Sequence, residues 1–341
     1  MNKKFHFVSQ HIHKHPVAFG AIIVAGFINS CISFLLPVSV GEFFQLYFHT
    51  GSSKGKLFNW LGLHIGTAEQ FFFLFAVLLL LKIIFSYAEN IGTYRHGELF
   101  VKELREKIFA AQANWQSPVF LQRPYGKYLL RYSNDMKAVQ NYFMKGVIGG
   151  IMNSLFLITG LFLLSQINFR LAILFFSMLA ATFIIIYFLS AIQKPFIRAS
   201  RSNRSSLLAF VAKSFARFRE IKETQSESAT TAKFNLRSDN LYLSNMRSNR
   251  MESLLLAASP FLIFVMIGLI LWQMTLSYVS ITVSEGVMMI LMMLMMQGTL
   301  RKLFKIPAYF NKGKISLQKI SKLLRQENDS AEIVSESSQN G

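Results

Sequence analysis

Few residues in this chain have the types and spacing that chemistry requires. Four histidines, His6, His11, His13 and His15, crowd the first sixteen residues. They could form a metal tract, but no carboxylate or thiolate lies near them in sequence and histidine is common on solvated interfacial helices, so no metal is expected. The run MMILMMLMMQ from Met288 holds six methionines, which would suit a soft Cu(I) path and would equally suit adaptable packing. GSSKGKL from Gly51 has a phosphate-loop look, yet only three residues separate its glycines, Leu57 stands where Ser or Thr is needed, and no strand precedes it. It reads as a flexible loop. Cys31 is the one cysteine, which excludes an internal disulfide and a thiolate metal site. No cluster of His and acids sits inside the apolar runs, as a membrane enzyme would require.

What remains are single charges and pairs. Arg131 and Asp135 are four apart and share a helix face, either as an exposed pair or as a pair that holds a neighbouring turn in place. Lys82 interrupts FFFLFAVLLLLKIIFSY, where a central lysine costs about 3 kcal/mol and each Leu, Ile or Phe returns roughly 0.3 to 0.6, so the span survives. It either snorkels or pairs with a neighbouring helix, or it faces a polar cavity that prefers anionic cargo. Asn29, Asn153 and Gln297 could line such a cavity, and packing hydrogen bonds explain them as well.

The elements that must position these residues are long apolar helices. Hydrophobic residues make up 52% of the 341, the mean hydropathy is +0.37, and the 34 Phe lie mostly in runs, which places the chain among integral membrane proteins. Its net charge of +19 would suit nucleic acid, but the basic residues are sorted by side of the membrane. Of 36, all but Lys54, Lys56, Lys82 and Arg170 fall on one side of the spans. That is the positive-inside pattern, and no nucleic-acid partner is expected.

The expected architecture is all-α, with six transmembrane helices at about 17–47, 71–88, 146–166, 171–192, 253–274 and 284–302. Residues 1–16 suit a short interfacial helix, with Phe5, Val8 and Ile12 at helical spacing. Two long cytoplasmic helical hairpins fill 89–145 and 194–252, with arms of roughly 40 Å. The first breaks at Pro118 to Gly126 and the second around 224–234, where Ser and Thr interrupt the apolar period. Gly146 and Gly150 have the spacing for close helix packing. Both termini fall on the cytoplasmic side, and 326–341 reads as a disordered tail or linker.

This plan resembles the transmembrane domain of type I ATP-binding cassette exporters over roughly residues 5–325. The first hairpin carries an aromatic position, Gly, Arg and Asp at the family's spacing, as Phe120, Gly126, Arg131 and Asp135. The second has Gln225, Glu227 and Phe234 in its turn, and IPAYFNKGKISLQKISKLL resembles the exit of the sixth helix, with Pro307, Ser316 and Ile320 in register and Lys319 in place of Arg. The resemblance implies a permease that forms the translocation pathway and docks turn helices on a nucleotide-binding ATPase, which would hold ATP and Mg. It also implies a second transmembrane domain as homo- or heterodimer partner, lipid around the bundle, and a bacterial inner membrane as location. No phosphate loop, signature run or Asp-Glu pair is present, so the chain is not expected to hydrolyse ATP alone, and the ATPase is either a separate polypeptide or lost at a cut linker. A non-transporting scaffold or sensor is the alternative.

Overall fold

A computed structural model describes residues 6–48, 67–114, 131–275 and 282–339, and the described residues are helical almost throughout. In chain order the helices are α1 (His6–Lys14), α2 (Pro16–Phe48), α3 (Ala68–Ala113), α4 (Arg131–Ile167), α5 (Phe169–Ala216), α6 (Phe218–Glu223), α7 (Glu227–Thr275) and α8 (Val283–Gln339). α4 contains two π-helical stretches, Arg131–Asp135 and Tyr142–Ile148. Wider turns of this kind rotate the face that follows them. Here they keep Asp135, Tyr142, Phe143, Met144, Gly146 and Ile148 all buried.

The chain forms two compact units, 1–171 with 267–341, and 172–266. In the first, α2, α3, α4 and α8 pack as a bundle, and α1 lies against α2. Among the described residues, four helical stretches are long and apolar enough to cross a membrane, Pro16–Gln45, Ala68–Ala113, Arg131–Ile167 and Val283–Leu324. Shorter apolar helices occupy Phe169–Ala181 and Ile263–Thr275. Leu79, Leu80, Ile83 and Ile84 of α3 stay exposed on the protein, as residues do that meet lipid rather than a core.

The main core lies at the base of the spans. Phe100, Val101, Leu104 and Ile108 of α3 pack with Met136, Val139, Tyr142 and Phe143 of α4, Leu317 and Ile320 of α8, Ile22 of α2 and Val8 of α1. The interfacial helix expected from residues 1–16 is therefore docked on protein along its Val8 and Ile12 side. Gly313 lets α8 approach, since a Cβ there would run into the Tyr142 ring. Gly146 and Gly150 face Phe310 and Ile306 of α8, the close packing that their spacing predicts. Of the six methionines, Met288, Met289, Met292, Met293 and Met296 are buried and fill the bundle as packing residues.

Capping explains where helices begin. Thr282 and Glu285 form a reciprocal capping box at the start of α8, with the Thr282 amide donating to Glu285 at 3.0 Å and the Glu285 amide to Thr282 Oγ1 at 3.3 Å. The extended Asn168 caps α5 by accepting from the amides of Arg170 and Leu171 at 3.1 and 3.2 Å. α8 runs as helix to Gln339. No Gly or Pro interrupts the stretch from Lys314 to Gln339, so nothing in the backbone stops the helix.

In the second unit, α5 and α7 run antiparallel. Ser200 pairs with Asn245, Asn203 with the carbonyl of Asn240 at 3.2 Å, and Ser206 with Arg237 at 2.7 Å, each step forward on α5 matching a step back on α7. Arg237 also lies 4.9 Å above the Phe210 ring.

Candidate functional site

The expected coupling residues of the first hairpin divide in two. Phe120 and Gly126 lie outside the described residues, together with the break at Pro118. Arg131 and Asp135 pair at the base of α4, and the exposed version of that pair is corrected by the structure. Asp135 is 8% exposed and accepts a hydrogen bond from Ser316 Oγ of α8 at 2.8 Å, with Lys319 Nζ 3.8 Å away. Three donors from two helices thus surround one buried carboxylate, the arrangement that keeps a buried charge tolerable. The two arms of the hairpin are tied as well, by Tyr132 to Gln112 at 2.6 Å and Gln140 to Glu98 at 2.6 Å.

The second hairpin ends differently from the expected turn at 224–234. The short helix is α6, the turn is Thr224 to Ser226, and Glu227 to Phe234 form the first turns of α7. A Schellman closure makes the stop: the Ser226 amide reaches the Ile221 carbonyl at 3.1 Å and the Gln225 amide the Lys222 carbonyl at 3.3 Å. Gln225 occupies the position that favours glycine, with φ of 48°. Helix propensity could not reveal this, because the sequence carries no Gly at the stop. Glu227 starts α7 beside the amides of its first turn and accepts from Lys222 Nζ at 2.9 Å, which holds its carboxyl below the usual carboxylate range. Phe215, Phe218 and Phe234 are all exposed at this end. A cleft of about 650 Å³ beside them is lined by Lys213, Arg217, Lys233 and Arg237 among others.

Inside the spans the proposed cavity residues are largely engaged. Asn29 donates to Glu89 at 2.7 Å, Lys82 donates to Ser33, and Ser33 donates to the Asn29 carbonyl at 2.7 Å, so α2 and α3 share one polar strip. Lys82 therefore has the neighbouring-helix partner that its first reading gave it, and the strip carries Glu89 as a balancing charge. Asn153 donates back to the Gly149 carbonyl within its own helix, and Gln297 is half-buried on α8.

A cluster that the sequence did not reveal joins α1 to α3. His11 Nδ1 lies 2.8 Å from Glu103 Oε2, Lys14 Nζ 2.7 Å from Glu103 Oε1, and His15 Nε2 3.5 Å from Oε1. His96 completes it, with its ring centroid 5.9 Å from that of His11 and 6.0 Å from that of His15. Burial pushes the Glu103 carboxyl up, but the hydrogen bonds from Lys14 and His11 outweigh it and bring the pKa to about 2. His96 is held below the ordinary imidazole range by burial and by His11, His15 and Arg95. Glu103 is 92 residues away from His11 in sequence, so only the packing of α1 on α3 brings a carboxylate to the histidines.

Residues 19–300 match the family model for the ABC transporter transmembrane region. That region is the membrane part of such a transporter and not its ATPase domain. No curated protein matches the chain.

Proposed function

This chain belongs to the ABC transporter transmembrane-region family, so it is an integral membrane protein of a transporter, and from that premise we propose that it is the permease subunit of an ATP-driven exporter. In this reading it has six spans of the type I fold, both termini on the cytoplasmic side of a bacterial inner membrane, and works as a homo- or heterodimer. A separate nucleotide-binding subunit holds ATP and Mg, and this chain transmits the force.

The observation that carries the reading is the buried carboxylate of Asp135. It ties the returning arm of the first hairpin to Ser316 on the stretch of α8 that leaves the bundle. A displacement of the hairpin end is thereby delivered to the exit helix, because breaking the tie loses a buried hydrogen bond to a charged carboxylate, at a cost of about 1.5–3 kcal/mol. Exposed Phe215 and Phe218, set among ion-paired basic and acidic residues, give the second hairpin an apolar end suited to a partner's groove.

The test is purification from the native membrane in mild detergent, identification of co-eluting chains and an ATPase assay. A stoichiometric ATPase whose activity falls when Phe218 is replaced by Ala supports the permease. Recovery of the chain without nucleotide turnover favours a scaffold or sensor.

A further inference from the structure

The geometry points to a divalent transition-metal site, of the zinc class, built by His11 and His15 of α1 and Glu103 of α3. One ligand atom from each of the three lies within 4.8 Å of the others, so a small closure brings them to a common ion. Metal–nitrogen and metal–carboxylate bonds are about 2.0–2.2 Å long. Imidazole and carboxylate together select a borderline ion over Ca or Mg.

Burial and an unpaired nitrogen, besides that spacing, point to a ligand at this cluster. His11 is 3% exposed, and its Nδ1 faces Glu103. His96 Nδ1 is buried with no hydrogen-bond partner, and buried His15 Nε2 has Glu103 Oε1 near it, at 3.5 Å. A buried imidazole nitrogen left unpaired, as His96 Nδ1 is, is costly unless a ligand meets it. His96 is 6% exposed and placed to supply a fourth ligand or to orient one of the others.

The ion would replace the proton now shared between His11 Nδ1 and Glu103 Oε2, releasing it to solvent. Lys14 is the competing cation on Glu103 Oε1, and its side chain is 64% exposed and free to swing away. Arg95 is the other positive group near His96. Occupied, the site staples the amino-terminal helix to the arm of the first hairpin.

The experiment is equilibrium dialysis of the full chain in nanodiscs, carrying a tag without histidine, against Zn²⁺, with bound metal measured by mass spectrometry. One zinc per chain is expected. His13→Ala, a change at an exposed neighbour, should leave affinity unchanged, while Glu103→Gln and His15→Ala should each lower it by about tenfold or more. His15 is half-exposed, so its variant reports on the site even where Glu103→Gln fails to fold. Absence of bound zinc in the parent chain would overturn the site. So would a loss in His13→Ala equal to that in Glu103→Gln, which would place the metal on the exposed tract.

Discussion

Ser316 Oγ donates to Asp135 Oδ1 at 2.8 Å across 181 residues of sequence, and both side chains are buried. Hydrogen bonds to a charged group contribute about 1.5–3 kcal/mol each. Ser316→Ala is therefore expected to destabilise the chain by about that amount, read as a lower thermal midpoint in detergent. In a double-mutant cycle, Arg131→Met and Ser316→Ala should be non-additive, because both act on one carboxylate. Additive effects would mean that Asp135 does not link the two helices.

Gln225 pays for a left-handed backbone that glycine adopts freely. Replacing it by Gly should stabilise the α6–α7 turn by up to about 1 kcal/mol, and by Val should destabilise it by more. Hydrogen exchange at the Gln225 and Ser226 amides, which close the turn, reports both changes. Equal protection in all three chains would contradict the closure.

Gly313 and Gly298 both lie in α8 and differ in what surrounds them. A Cβ at 313 meets the Tyr142 ring, while nothing lies within 4 Å at 298. Gly313→Val should cost about 1–3 kcal/mol by overpacking. Gly298→Ala should be neutral or gain up to about 1 kcal/mol from helix propensity. Thermal melts of the pair check the contrast.

Lys82→Met removes a charge that costs about 3 kcal/mol in hydrocarbon and loses one hydrogen bond, to Ser33, worth about 1.5–3 kcal/mol. Insertion of α3 should be unchanged or improved, as read by glycosylation mapping. Poorer insertion would show that the strip with Glu89 outweighs the cost of the charge.

Glu227 is held below the ordinary carboxylate range by Lys222 and by the amide at the start of α7. A depressed carboxyl contributes stability above its unfolded pKa and loses it as pH falls through the folded value. It thus stays ionised across about pH 5.5–8. If the chain couples to an ATPase subunit as proposed, Glu227→Lys should lower that subunit's stimulation by a factor that is constant over that range. A factor that varies with pH would assign the effect to another group.

The sequence by itself determined the helices and their membrane character, because burial in lipid needs only composition and length. It also determined the close approach at Gly146 and Gly150, since positions four apart share a face whatever the neighbour is. Arg131 with Asp135 was legible for the same reason. Tertiary structure alone decided which charges meet. His11 finds Glu103, Asn29 finds Glu89, and Asp135 finds Ser316, each across dozens of residues. Pairing of that kind depends on which helix faces pack together, and no local period encodes it. The stop at Gln225 was hidden for a different reason: its left-handed turn is held by carbonyls of the preceding helix, which accept from the Gln225 and Ser226 amides, while the residue itself carries no glycine signal.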